Sequence, residues 1–133
     1  MANYETTTID LGSIELEGGK FRDELLTFAG ADTFVKGTIL ARSSVTGKLV
    51  PFATGGANGT NVPLAILTYD VARTTAGDEP IRALVAGEVN RQRLIIDADG
   101  NGTNVTSAVV DGLRNYGIVA TDVQQIASLP YAP

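Results

Sequence analysis

The sequence predicts a mainly β domain, a small α+β fold with one short helix and an extended N-terminal arm. Three observations carry this. Four short apolar, β-branched runs stand between Phe34 and Val89: Phe34–Arg42, Val45–Phe52, Val62–Val71 and Ile81–Val89. Turn-forming residues separate them, which is the rhythm of an antiparallel β domain. The stretch before them is acidic and alternates only weakly, and a helical stripe is legible only near Ala108–Tyr116.

Length and composition set the frame. The chain has 133 residues, 44% apolar and 19% charged, which suits one globular domain. A fold of this size buries roughly two-thirds of the surface of its unfolded chain, enough for a core without staples. The chain has no cysteine, so disulfides cannot supply stability and redox compartment leaves no trace. The formal net charge of -5 argues against a nucleic-acid backbone as partner, because phosphate binding needs Lys and Arg. Arg91 and Arg93 form the densest basic spot and read as a solvated strand face. No apolar run approaches the ~20 residues of a membrane-spanning helix. The first residues, Met-Ala-Asn-Tyr-Glu-Thr, lack the basic and apolar regions of a signal peptide, which predicts synthesis in a cytosol.

Residues 1–32 hold seven acids and two bases. Ile9 and Leu11 alternate, Gly12-Ser13 interrupts, and Ile14 and Leu16 resume before Gly18-Gly19. Such a stretch has little to bury alone and is best used by pairing with an existing sheet edge. Residues 1–20 are therefore expected to be mobile in the free protein and to order on a partner, since ordering costs roughly 1–2 kcal/mol of backbone entropy per residue. The simpler alternative is a frayed terminus. Phe21–Phe28 admits either a strand or a helical turn. Gly30-Ala-Asp32 reads as a turn, and the β domain is expected from residue 33 to 133.

Ser43–Gly47 reads as a hairpin connection and Thr54–Asn61 as a surface loop. Leu64–Leu67 is apolar without alternation, as in a strand buried on both faces. Thr74–Pro80 reads as another loop. Gly87 interrupts the Ile81–Val89 strand and predicts a bulge. A further strand is expected over Arg91–Ile96, then a polar turn over Asp97–Gly102. Thr106 or Ser107 caps a helix over Ala108–Tyr116, with Val109, Val110 and Leu113 as its stripe and Gly117 as its stop. Gly112 inside it costs about 1 kcal/mol relative to alanine. Ile118–Ala120 reads as a closing strand, and Leu129–Pro133 as an irregular tail.

Few residues offer chemistry. Asp97, Asp99, Asn101 and Gly102 match the opening of an EF-hand loop. Ala108 stands where the bidentate acid belongs, and Val105 stands at loop position nine, so a β-turn is expected and no metal. Thr46-Gly-Lys48 echoes the end of a phosphate loop, but Arg42 replaces its first glycine and Leu49 its magnesium-binding hydroxyl. Without histidine or cysteine, Ser-His and Cys-His pairs are excluded. A carboxylate pair such as Asp70 with Glu88 is conceivable, but nothing in the sequence brings the two together. The expectation is no enzyme, no catalytic residue and no cofactor.

The succession Val35–Ala41, Thr46–Pro51, Pro63–Leu67 with Asp70-Val-Ala72, Val85–Val89 and then Gly112–Ile118 resembles the lambda-type head decoration family of tailed bacteriophages. The likeness spans about Thr33 to Ile118. It implies a β-tulip-like decoration domain at 33–133 and a capsid-contacting arm at 1–32. It implies homotrimers on the outside of an expanded head, clamping neighbouring major capsid subunits against internal DNA pressure. It implies a virion protein, made in the host bacterial cytoplasm, with no direct nucleic-acid or membrane partner. Under that likeness Ile9, Leu11, Ile14 and Leu16 are the candidate capsid-binding residues of the arm. Leu64, Ile66 and Tyr69 are candidates for the trimer interface. Two other classes compete. A carbohydrate-binding β module would present several tyrosines on one exposed face. A carboxylate hydrolase would show two acids ~5–9 Å apart in a pocket.

Overall fold

A computed structural model of the chain describes residues 15–122. Its strands are β1 (Glu15–Phe28), β2 (Asp32–Phe34), β3 (Ile39–Arg42), β4 (Leu49–Pro51), β5 (Ala65–Leu67), β6 (Val71–Arg73), β7 (Gly77–Asn90) and β8 (Ile118–Thr121), with one helix, α1 (Ser107–Arg114). A six-stranded sheet runs in the order β1-β4-β3-β5-β7-β8, and β1 also pairs with β7. Five strands thus close into a small barrel-like ring, and β8 extends β7 beyond it. β2 and β6 form a separate two-stranded ribbon. The mainly β class read from the sequence is the class observed.

Period-two alternation sorts the core into two clusters on opposite sides of β3 and β5. Ile39, Ala41, Ile66 and Leu84 face Leu94, Ile96, Val109, Leu113 and Ile118. Leu40, Ala65, Leu67 and Ala83 face Leu26, Phe28, Phe34 and Leu49, with the Phe28 and Phe34 rings stacked 4.6 Å apart. This is why Leu64–Leu67 lacks alternation: Ala65, Ile66 and Leu67 are all buried. In α1, Val109 and Leu113 lie one turn apart and both reach the core. A side chain on Gly112 would meet Pro63 Cγ at 2.9 Å, so that glycine permits close docking of the helix. The helix ends at Arg114 with Asn115 as its cap, two residues short of the Tyr116 read from the sequence, and Gly117 at φ +91° follows in the turn before β8.

Several boundaries differ from the sequence reading. Phe34–Arg42 is two strands, because Gly37 at φ +98° turns the chain between β2 and β3. Val62–Val71 is likewise divided into β5 and β6. The Thr74–Pro80 loop ends early, and β7 begins at Gly77. Arg91–Ile96 is not a strand. The Asn90 side chain accepts a hydrogen bond from the Gln92 N–H and curls Arg91–Arg93 into a 3-10 turn. Two isolated bridges follow, Ile95 with Thr38 and Ile96 with Asn101. Phe21–Phe28 is strand, the C-terminal half of β1. Of the stretch read as an arm, residues 1–32, Glu15–Phe28 therefore lies in the sheet, and Leu26 and Phe28 belong to the core.

Ring closure at the β1–β4 seam depends on side chains. Backbone pairing there is a single register point, Leu26 opposite Leu49. Glu24 and Arg42 supplement it with a two-pronged ion pair, Nη1 to Oε1 at 3.1 Å and Nη2 to Oε2 at 2.9 Å. Nearby, Asp78 accepts from Lys48 Nζ at 2.6 Å and from Thr27 Oγ1 at 2.9 Å. The hydrogen bond from Arg42 holds the Glu24 carboxyl below the usual carboxylate range, against the opposing effect of burial. A depressed carboxyl stabilises the fold above its unfolded-state pKa, and that contribution is lost as pH falls through the folded-state pKa. Glu24→Gln is expected to cost about 1–2 kcal/mol at neutral pH. The difference from wild type should shrink on acidification below the ordinary carboxylate range. Urea midpoints across pH measure this, and a pH-independent difference would remove the ion pair from the account.

Candidate functional site

The residues expected to bind partners fall in three places. Ile9, Leu11 and Ile14 lie outside the described residues. Leu16 sits in β1, between the pairs Glu15–Val89 and Glu17–Glu88. Leu64 is half-buried against the second core cluster, and Tyr69 is 46% exposed. Ile66 is 0% exposed, lodged between Ile39 and Leu84, so as an interface residue it is corrected: it is core. Its apolar character could not distinguish the two roles. Only its place on a strand covered on both faces does.

Tyr69 instead joins an outer face that the sequence reading missed. β5 stops at Leu67, and side chains then continue its bonding to β7. Thr68 Oγ1 donates to the Arg82 carbonyl at 2.7 Å, and the Arg82 N–H donates to the Tyr69 hydroxyl at 3.3 Å. The Arg82 guanidinium lies 5.6 Å over the Phe21 ring. Leu25, 39% exposed, stands two pairs further along, opposite Pro80. Leu25, Tyr69, the Arg82–Phe21 pair and the exposed Asp23 opposite Arg82 thus give the β1–β7 ribbon an outer surface of mixed apolar and charged character. Alternation within β1 was the available signal, but it is visible only once Phe21–Phe28 is known to be strand.

The Asp97–Gly102 segment is a 3-10 turn closed by Gly100 at φ +74°. Asn101 Oδ1 accepts the Thr103 N–H, and Asp99 Oδ2 accepts from Asn104 Nδ2. Its would-be ligands thus serve the loop itself. Among the described residues no cluster of three acids is arranged to hold a metal ion. Burial, then the nearby Asp32, pushes the Asp97 carboxyl up. A raised carboxyl opposes folding once ionised, so Asp97→Asn is expected to raise the melting temperature at neutral pH and to lose that advantage in acid. A lower melting temperature at neutral pH would mean that the carboxylate makes a needed contact.

Asp70 and Glu88 do not share a bond: Asp70 accepts the Lys36 N–H and Glu88 accepts from Thr121 Oγ1. The exposed tyrosines Tyr69 and Tyr116 lie on separate elements, ahead of β6 and after α1. A groove of about 430 Å³ between the Thr54–Asn61 loop and α1 is floored by Phe52, Pro63 and Val109. No helix among the described residues is long and apolar enough to cross a membrane.

The ring of five strands, of which β1 and β7 are 14 residues long, is clamped by side chains and presents an exposed ribbon face. The family model of bacteriophage lambda head decoration protein D matches residues 14–118, and the chain belongs to that family. The match opens one residue before β1 and closes on the first residue of β8. No curated protein matches the chain. Membership carries a phage capsid decoration role, a place on the virion capsid, and a structural rather than enzymatic family.

Proposed function

We propose that the protein binds the outside of the expanded phage head as homotrimers and stabilises the shell against internal DNA pressure. It is made in the host bacterial cytoplasm and takes the major capsid protein as its partner. The observation that carries this reading is the family match over residues 14–118, which spans nearly the whole described fold. Pairing of β1 with β7 from Glu15 onward supports a contacting arm that precedes Glu15. Ile9, Leu11 and Ile14 would fill shallow pockets on the capsid, with backbone groups completing a sheet edge. Leu16 would mark the point where arm passes into sheet. Three arms per trimer would add weak contacts through effective concentration. Leu64 and Tyr69 are retained as trimer contacts, joined by Leu25 on the exposed ribbon face.

Deletion of residues 2–14 tests the reading, since it leaves β1 entire. The shortened protein should keep its circular dichroism spectrum and its oligomeric state. It should bind expanded, undecorated capsids at least tenfold more weakly, the loss of about 1.4 kcal/mol or more. Cryo-imaging of the full-length protein on such capsids should show three-fold density. Absence of any capsid binding by the full-length protein would sink the reading. Unchanged binding after deletion would move the adhesive surface to the β domain.

A further inference from the structure

The chain contains two Asn-Gly pairs, Asn58-Gly59 and Asn101-Gly102. A glycine after asparagine leaves no side chain to shield the peptide nitrogen from the asparagine amide. The fold treats the two pairs differently. The Asn101 side chain is engaged, its Oδ1 accepting the Thr103 N–H at 2.9 Å in the local bond of an Asx turn. The Ile96 N–H holds the Asn101 carbonyl as well, at 3.0 Å. Asn58 is exposed, and at φ +57° it is the one non-glycine residue at positive φ among the described residues. Neither its side-chain amide nor the Gly59 N–H makes a hydrogen bond among the described residues.

The surroundings of Asn58 are tightly drawn. Thr60 donates to the Ala57 carbonyl twice, from its N–H at 3.1 Å and its Oγ1 at 2.8 Å, closing a turn over Asn58 and Gly59. The Ser44 N–H donates to the Asn58 carbonyl at 2.8 Å and ties this loop to the connection that follows β3. Gly59 is seated against β3, since a Cβ there would stand 2.4 Å from the Arg42 carbonyl oxygen.

We propose that Asn58 is a site of spontaneous deamidation and that the fold selects it over Asn101. The Gly59 nitrogen gives its proton to hydroxide and attacks the side-chain carbonyl carbon of Asn58. The new carbon–nitrogen bond forms as the bond to the side-chain amino group breaks, and that group takes a proton from water and leaves as ammonia. Water then opens the cyclic imide at either carbonyl, leaving aspartate or isoaspartate. Either product adds a negative charge to a chain that is already acidic. Isoaspartate also lengthens the main chain by one methylene inside the Ala57–Thr60 turn. The turn cannot close over the longer path with Gly59 still seated against Arg42. The loop that supplies Thr54, Gly55 and Asn61 to the groove beside α1 is thereby released.

Ageing the full-length protein at mildly alkaline pH, followed by peptide mapping with mass spectrometry, tests this. Asn58 should convert about five times faster than Asn101, the factor that one retained hydrogen bond of about 1 kcal/mol supplies. In urea the two rates should converge, because the Thr103 bond is then gone. In the native isoaspartate fraction, separated by charge, the Thr60 amide should exchange its hydrogen faster than in fresh protein. Asn58→Gly suits the positive φ and should age with no change at Thr60. Conversion of Asn101 at an equal or greater rate, or a ratio that survives in urea, would overturn selection by the fold. An isoaspartate fraction with an unchanged Thr60 amide would overturn release of the loop. None of these outcomes involves capsids, so failure here leaves the decoration role standing.

Discussion

Gly87→Ala is expected to cost about 4 kcal/mol, much of the ~5–15 kcal/mol that a domain of this kind holds in reserve. Gly87 sits at φ +120°, where an L side chain is strained. A Cβ there would come 2.8 Å from Gly19 Cα and 2.9 Å from the Gly18 carbonyl oxygen. Both obstacles are backbone, so no rotamer change relieves them. The contact falls where the β1–β7 register slips between Glu17–Glu88 and Lys20–Ala86. The added methyl would therefore push β1 away from β7 and open the ring. Gly100→Ala is the control: φ is +74° with nothing within 4 Å, and about 1–2 kcal/mol of backbone strain is the only cost. Guanidinium midpoints compare the two. Equal effects would mean that β1 does not approach β7 closely at this bulge.

Ile66→Ala should cost about 2–5 kcal/mol, the price of a cavity in a core that cannot collapse. The side chain is enclosed by strands on either side, Ile39 and Leu84, and by the helix-side cluster. Because this is a defect inside one chain, the loss should not depend on protein concentration. Tyr69→Ala should behave in the opposite way. It removes an exposed ring and one long hydrogen bond, so on the proposed trimer reading its effect falls in the concentration dependence of assembly. A concentration-dependent loss for Ile66→Ala would return that residue to the interface.

The sequence was legible where one physical rule acts locally. Apolar β-branched runs between turn residues placed β3, β4, β5 and β7, and the Val109–Leu113 spacing with Gly117 placed α1. Gly87 as a bulge was readable because an interior glycine in a strand has few other uses. What failed depended on distant partners. Glu24 and Arg42 lie on separate strands, and no local pattern announces their pairing. Gly112 looked like a cost because its neighbour, Pro63, is far off in the chain. Arg91–Ile96 has strand character, but one side-chain bond from Asn90 diverts it into a turn. Phe21–Phe28 of β1 stayed between strand and helical turn because its inward residues, Leu26 and Phe28, are too few to decide among so many charges.

The closing of the ring by its first strand sets the order of events at the ribosome. Glu15 must wait for Val89, and Phe28 for Gly77, before the β1–β7 pairing can form. The nascent chain therefore exposes an unpaired β1 edge through most of its synthesis. Long-range pairing of this kind is slow, and unpaired edges invite association between chains. The charges on that strand, Glu15, Glu17, Lys20, Arg22, Asp23 and Glu24, suit the interval. They are the kind of residue that keeps a waiting strand from pairing with its neighbours on a polysome. A segment whose charges say little for the finished core thus suits a strand that must wait for its partner.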